Sequence, residues 1–160
     1  MRRGPRLTCL VALTALVAAS GAEASQHWLE KKKPEELFAY IDTNDCPVTL
    51  EELTGIVQGL LIRSRIKPLT KWVSGDIALY VTVDCVGSGE ESWVFDLNVM
   101  LARFEQSKSS DAVISFRHED QFGSYGTGGK ELISSRVTEA TDKAIIKYLG
   151  ANFDLEPGPP

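Results

Sequence analysis

The residues with the clearest potential for chemistry lie in a glycine-rich stretch, Gly123–Lys130 (GSYGTGGK), which leads into a helical pattern. Free backbone N–H groups at a helix start can hold an anion. A phosphate-binding loop, G-x-x-x-x-G-K-[ST], would need glycine at Ser124 and serine or threonine at Glu131, and the dinucleotide pattern G-x-G-x-x-G also fails at Glu131. We therefore expect a flexible strand-to-helix connection or, alternatively, a mobile contact loop with Phe122 and Tyr125 as exposed aromatic residues.

A second group of reactive residue types is the run His118-Glu119-Asp120. Zinc sites normally use three or four protein ligands, and His27 is the other histidine of the chain. A nucleophile elbow of the form G-x-S-x-G does not occur.

Asp84 and Asp96 would form an acid–base pair or a divalent-ion site only in one strand register. We therefore predict no catalytic residues, no metal site and no cofactor, and keep a small hydrolase as the weakest alternative.

A basic cluster follows the second helical pattern in an otherwise acidic chain; its members are Arg63, Arg65, Lys67 and Lys71. Such a patch can bind an acidic protein, an anionic polymer or lipid headgroups. Trp72 would then act as an aromatic anchor. The alternative is a solvated helix end, where cations interact favourably with the helix dipole.

The cysteines and the N-terminus indicate a cellular compartment. Residues 1–24 have a basic start, an apolar run over 7–19 and a small-x-small site at 22–24, which predicts a cleaved signal peptide. The apolar run is shorter than the ~20 residues of a membrane span, which disfavours a retained anchor. Cleavage would remove Cys9 and leave Cys46 and Cys85 as a predicted disulfide, with two buried free thiols as the alternative.

The composition excludes several classes of protein. The 160 residues are 43% hydrophobic and 24% charged, with a net charge of −5, so the chain is too apolar to be disordered. Cleavage after residue 24 would lower Lys+Arg from 17 to 14 and Asp+Glu from 22 to 21, giving −7. This acidity argues against a nucleic-acid partner, whose phosphates require basic contacts.

The elements that would position these residues follow from the hydrophobic periodicity. Pro34, with an apolar face at Leu37, Phe38 and Ile41, predicts a first short helix. A capping box from Thr49 to Glu52 starts a second helix, whose Gly55 and Gly59 are expected to allow a close approach to a neighbouring element. A last helix is predicted over about 130–149, with Gly150 as its stop.

Strict alternation over 77–85 and 93–102 predicts two half-buried strands joined as an antiparallel hairpin, and a third strand spans about 112–118. The order helix-helix-strand-strand-strand-helix favours an α+β two-layer sandwich: an antiparallel sheet of three or more strands with helices packed on one face. We expect residues 25–33 to be a flexible N-terminal segment, 34–154 a single α+β domain and 155–160 a disordered tail.

Polar residues of the predicted hairpin share one strand face, which is expected to point away from the helices; they are Tyr80, Thr82, Asp84, Asp96 and Asn98, with Met100 at the same parity.

Taken together, the sequence predicts an exported, periplasmic or secreted, non-catalytic binding or accessory protein. Its partner would be a protein or an anionic polymer in an assembly or secretion system of the bacterial cell envelope. An exported enzyme inhibitor or ligand carrier is the alternative, and no transmembrane helix is expected in the mature protein.

Overall fold

A computed structural model describes residues 27–87, 92–106, 113–119 and 122–153. The predicted signal peptide and the predicted tail lie outside these residues. A short 3-10 helix (His27–Leu29) precedes eight elements, which are β1 (Glu36–Asn44), α1 (Leu50–Arg63), β2 (Lys67–Leu69), β3 (Ile77–Gly87), β4 (Trp93–Gln106), β5 (Val113–Glu119), β6 (Ser124–Gly128) and α2 (Lys130–Asn152). The α+β class is confirmed.

The first predicted helix is wrong, because its residues form strand β1. Its apolar positions at Leu37, Phe38 and Ile41 satisfy helical spacing, but Leu37, Ala39 and Ile41 also alternate, and these three pack into or against the core. Strand pairing with β3 along residues 38–44 decides between the two readings. Long-range hydrogen bonding thus overrides a short and ambiguous local pattern.

The sheet is mixed, whereas the sequence predicts an antiparallel one. Its strand order is β2-β1-β3-β4-β5, and β1 runs parallel to both β2 and β3. A parallel neighbour requires a crossover, and α1 supplies it between β1 and β2. The predicted β3–β4 hairpin is confirmed as an antiparallel pair from Ile77–Arg103 to Gly87–Trp93. The third predicted strand is confirmed as β5, antiparallel to β4.

The glycine-rich stretch forms a strand rather than a loop. Strand β6 pairs antiparallel with residues 93–97 of β4, while β5 pairs with residues 101–106 of the same strand. A side chain at Gly123 would collide with the carbonyl oxygen of Leu97, and a Cβ at Gly126 would lie 3.0 Å from the Phe95 ring. These two glycines therefore allow close contact with β4.

Helix α1 begins as predicted. Thr49 accepts a hydrogen bond from the Glu52 N–H at 3.2 Å, and the Glu52 carboxylate accepts one from the Thr49 N–H at 3.0 Å. The expected close approach at Gly55 and Gly59 is wrong, since a Cβ at either position would have no neighbour within 4 Å. These two glycines weaken the helix without any packing gain in the structure.

Helix α2 carries the predicted apolar stripe and continues through Gly150 to Asn152, so Gly150 is not its stop. Both helices pack on the same face of the sheet and share one core with β1, β3 and β4. The largest fully buried side chains include Leu37, Leu53, Leu61, Leu79, Leu97, Ile133 and Tyr148. Two helices thus cover the sheet, where the sequence predicts three.

The N-terminal segment is packed over its described part, unlike the predicted flexible entry. Trp28 and Leu29 are buried, because the 3-10 helix covers the end of the core beside α2. The Lys31 side chain is 4% exposed; its Nζ lies 2.9 Å from Asp76 and donates to the Glu36 carbonyl oxygen at 2.8 Å. The Lys31 N–H donates to the Asn152 side chain. The segment that precedes β1 is thus held to the end of α2 through side chains.

Cys46 and Cys85 form the predicted disulfide, with their Cα atoms 4.9 Å apart. Cys46 lies between β1 and α1, and Cys85 lies near the end of β3 on the helix-covered face. The bridge therefore joins the segment that follows β1 to β3, the parallel neighbour of β1, close to the start of α1. Of the described helices, neither is long and apolar enough to cross a membrane.

Candidate interaction surface

The face of the sheet opposite the helices, here called the open face, carries an ordered pattern of side chains. Strand register places them in rows across the sheet. The rows are Phe38-Ala78-Ala102, Tyr40-Tyr80-Met100, Asp42-Thr82-Asn98, Asn44-Asp84-Asp96-Tyr125 and Val86-Val94-Thr127. Adjacent rows are separated by two residues, or roughly 7 Å along the strands. One half of the open face is thus apolar and aromatic, although Ala78 and Ala102 in it are buried. The other half contains the acidic side chains together with Tyr125 and the exposed Val86 and Val94.

The centre of the apolar half is a stack of two tyrosines. The Tyr40 and Tyr80 ring centroids lie 4.9 Å apart with an interplanar angle of 7°. Tyr40 is 42% exposed, and its hydroxyl donates to Asp42 at 3.3 Å. Partial burial, followed by the negative charge of Asp42, raises the pKa of Tyr40. The stack is therefore an aromatic platform beside a carboxylate.

The acidic half includes three carboxylates. Asp84 and Asp96 are directly opposite each other in the β3–β4 register, and Asp42 lies on β1 opposite Thr82. A shallow cavity of about 230 Å³ opens between the ends of β1 and β3, and its lining residues are Asp42, Thr43, Asn44, Tyr80, Thr82, Val83 and Asp84. The carboxylates can accept hydrogen bonds from, and attract, a cationic group placed there.

Basic side chains do not neutralise this half within the described residues. Open-face positions on β1, β3, β4 and β6 with a described side chain hold no lysine or arginine. Lys67, on β2 at the sheet edge, pairs instead with Glu36 at 3.1 Å. The hydrogen bond from Lys67 is the main cause of the lowered pKa of Glu36.

The predicted basic cluster lies at the end of α1 and along the β2 edge. Arg63 ends α1, Arg65 follows in a turn with φ of 60°, and Lys71 follows β2; all three are exposed. None of the three forms an ion pair with another described residue, whereas Lys67 pairs with Glu36. Trp72 is half-buried, and its buried Nε1 has no hydrogen-bond partner in the described part of the chain.

A groove of about 820 Å³ lies between the two helices on their outer side; its lining residues are Leu60, Arg63, Ser64, Ser135, Thr138, Glu139 and Asp142. Its charges are mixed, because Arg63 faces the same groove as two carboxylates. The hydrogen bond from Lys143 is the largest of the effects that lower the pKa of Glu139, and Arg136 adds to it.

The two aromatic residues expected on a contact loop are separated by the structure. Tyr125 is 89% exposed on β6, as expected, but Phe122 is half-buried and packs against the core. The Phe122 N–H donates to the Val99 carbonyl oxygen at 2.9 Å, which fixes the chain between β5 and β6 against β4. A contact surface here therefore includes Tyr125 but not Phe122.

The His118-Glu119-Asp120 run is only partly described. His118 and Glu119 belong to β5, where the backbone of His118 is in register with Ala102, and nothing is described of their side chains or of Asp120. Within the described residues, His, Cys, Asp and Glu side chains form no cluster of three or more that could hold a metal ion.

Sequence reasoning identified half of the open face. Tyr80, Thr82 and Asp84 of β3 lie on the predicted face, as do Asp96 and Asn98 of β4. The sequence does not predict the contribution of β1, because the apolar positions Leu37, Phe38 and Ile41 indicate a short helix there. The signal that could have placed Tyr40 and Asp42 on this face is the alternation of residues 37–44, which matches that of β3.

Comparison with models of protein families and with curated proteins finds no match for this chain.

Proposed function

We propose that this chain is an exported, non-catalytic binding protein of the bacterial cell envelope, and that it contacts a protein partner through the open face. The disulfide supports export, because such bonds persist mainly in oxidising compartments. The predicted signal peptide supports it independently.

The observation that carries the binding role is the Tyr40–Tyr80 platform. A solvated sheet face is normally polar, yet this one presents stacked tyrosines beside half-buried Phe38 and Met100. Tyrosine, phenylalanine and methionine are enriched in protein–protein interfaces. A polar row of threonine, asparagine and aspartate borders them on one side, and an apolar centre beside polar residues is typical of protein interfaces.

The test is site-specific photo-crosslinking in a bacterial host that expresses the full chain. A photoreactive residue at position 40 should form an adduct with a defined protein in the exported fraction. The same residue at Ile146, an exposed apolar position on α2, is the matched control and should form none. Equal adducts at the two positions, or a chain that stays in the cytosol with reduced cysteines, would contradict the proposal.

A second surface supports the anionic-partner alternative. Arg63, Arg65 and Lys71 are exposed around the sheet edge, and they make no ion pair with the other described residues. Replacing Arg63 and Arg65 by glutamate should abolish binding to an acidic polymer if this surface is used. Unchanged binding would exclude it.

The interhelical groove supports the alternative of a ligand carrier, since about 820 Å³ is within the range of small-molecule sites. Its open form and mixed charges fit less well, because ligand sites are mostly concave and apolar. We therefore rank the open face first.

A further inference from the structure

We propose that the open face docks a basic segment of the partner, with apolar side chains on the Tyr40–Tyr80 platform and lysine or arginine among Asp42, Asp84 and Asp96. This inference rests on the proposed function and adds the chemistry of the partner.

Charge complementarity is the first argument. The described side chains of the open face on β1, β3, β4 and β6 contain three aspartates in their acidic half and no lysine or arginine. No described basic side chain lies within ion-pair distance of Asp42, Asp84 or Asp96. A basic segment supplies the missing positive charge, whereas an acidic partner would be repelled.

The second argument is an unfavourable pairing in the sheet itself. Like charges directly opposite each other on neighbouring strands destabilise a sheet, and Asp84 and Asp96 are such a pair. Local choices that oppose folding stability are expected at functional sites. A bound cation between the two strands would remove this repulsion, so the pair favours association with a basic group.

The third argument is the layout of the face. The tyrosine row lies two rows from the Asp84–Asp96 row, or roughly 14 Å along the strands. An extended basic segment covers such a distance with about four residues. Aliphatic parts of lysine or arginine can pack on the tyrosine rings while their charged heads reach the carboxylates. The surface thus fits a segment that is both basic and apolar, rather than a free small cation.

The test uses a labelled twelve-residue peptide in which lysine and leucine alternate, and the same peptide with glutamate in place of lysine. Binding to the full chain is measured by fluorescence anisotropy and mapped by amide chemical shifts. The lysine peptide should bind and shift the amides of Tyr40, Thr82 and Asp84, and the glutamate peptide should not bind. Raising the salt concentration should weaken the interaction.

The variant is Asp84→Asn with Asp96→Asn, which keeps side-chain size and should lower affinity at least about tenfold. Its matched control is Glu51→Gln with Glu131→Gln, which changes net charge equally on exposed helix positions and should retain affinity within about twofold. An equal loss in both variants would indicate general charge attraction and overturn the proposal. The proposal would also be overturned if the peptide changed amide chemical shifts only in the interhelical groove. Self-association of the chain that the Asp84→Asn, Asp96→Asn variant abolishes would overturn it as well, because the face would then bind a second copy.

The two proposals fail in different ways. If the partner crosslinked at position 40 is captured equally by the Asp84→Asn, Asp96→Asn chain, the open face binds protein but the basic-segment inference is wrong. If no adduct forms at position 40, the proposed function itself is wrong.

Discussion

Asp84 lies directly opposite Asp96 in the β3–β4 register, on the face of the sheet that the helices leave uncovered. Like charges directly opposite each other on neighbouring strands are expected to repel, and cross-strand pairs of this kind change stability by roughly 0.2–1 kcal/mol. The arrangement therefore links the proposed binding surface to a measurable cost in folding.

Replacing Asp96 by asparagine should raise the free energy of unfolding by about 0.5 kcal/mol, because the repulsion disappears while the side-chain size is retained. Urea unfolding at low ionic strength measures the change. Asp42→Asn is the control, since Asp42 lies opposite Thr82 and not opposite a carboxylate. High salt should reduce the gain by screening. A less stable Asp96→Asn protein would contradict the assigned repulsion.

Gly55→Ala and Gly59→Ala should each stabilise the protein by about 0.5–1 kcal/mol. Both glycines lie inside α1, and a Cβ at either position meets no atom within 4 Å. Alanine lowers the entropy of the unfolded chain and favours the helix. Thermal unfolding reports the effect. Gly123→Ala is the contrasting variant and should destabilise, because its Cβ would collide with the carbonyl oxygen of Leu97.

Loss of the disulfide should destabilise the protein by about 4 kcal/mol, on the chain-entropy estimate for a loop of this length. The two cysteines are separated by 39 positions. The Cys46→Ala, Cys85→Ala protein should therefore unfold at a lower urea concentration than the oxidised parent. Reduction of the parent should move its midpoint in the same direction, and an unchanged midpoint in both would contradict the role of the bridge.

Tyr148→Phe should destabilise by about 1–3 kcal/mol, because it leaves the carbonyl oxygen of Pro34 without its partner. The Tyr148 hydroxyl donates to that oxygen at 2.9 Å, and the side chain is fully buried. Urea unfolding near neutral pH gives the difference. Tyr125→Phe, at an exposed position, should change stability little.

The same residue predicts a pH dependence. Burial, followed by the charges of Asp76 and Glu35, raises the pKa of Tyr148 in the folded protein above its ordinary value of 10.0. The unfolded chain therefore releases this proton first, and the stability that Tyr148 contributes declines as the pH rises above about 10. In Tyr148→Phe this decline is absent, so the parent's advantage should shrink at alkaline pH. A constant difference would show that Tyr148 ionises normally.

The parts of the fold that follow local rules were predictable. Thr49 and Glu52 define the start of α1 by a spacing that the sequence displays directly. The alternation in β3 and β4 predicted both the hairpin and the face on which Asp84 and Asp96 lie. The start of α1 depends on residues that are neighbours in the sequence, and β3 and β4 depend on each other as consecutive strands.

Other features depend on distant segments. Strand β1 is specified by its pairing with β3 across α1, and the apolar residues Leu37, Phe38 and Ile41 taken alone fit a short helix as well. Strand β6 contains glycines with weak strand propensity and forms because the exposed edge of β4 is available to it. The Tyr40–Tyr80 platform requires two strands that are neighbours in space but far apart in sequence, so it could not be predicted before β1 was placed.

The Cys46–Cys85 bridge also determines how the chain would respond to a pulling force applied at its ends. Force would pass from β1 through the bridge into β3, and α1 and β2 would lie outside the load path. The 39 positions between the cysteines would be withheld from extension, which shortens the unfolded contour by roughly 13 nm. The chain would thus keep its crossover segment closed under tension.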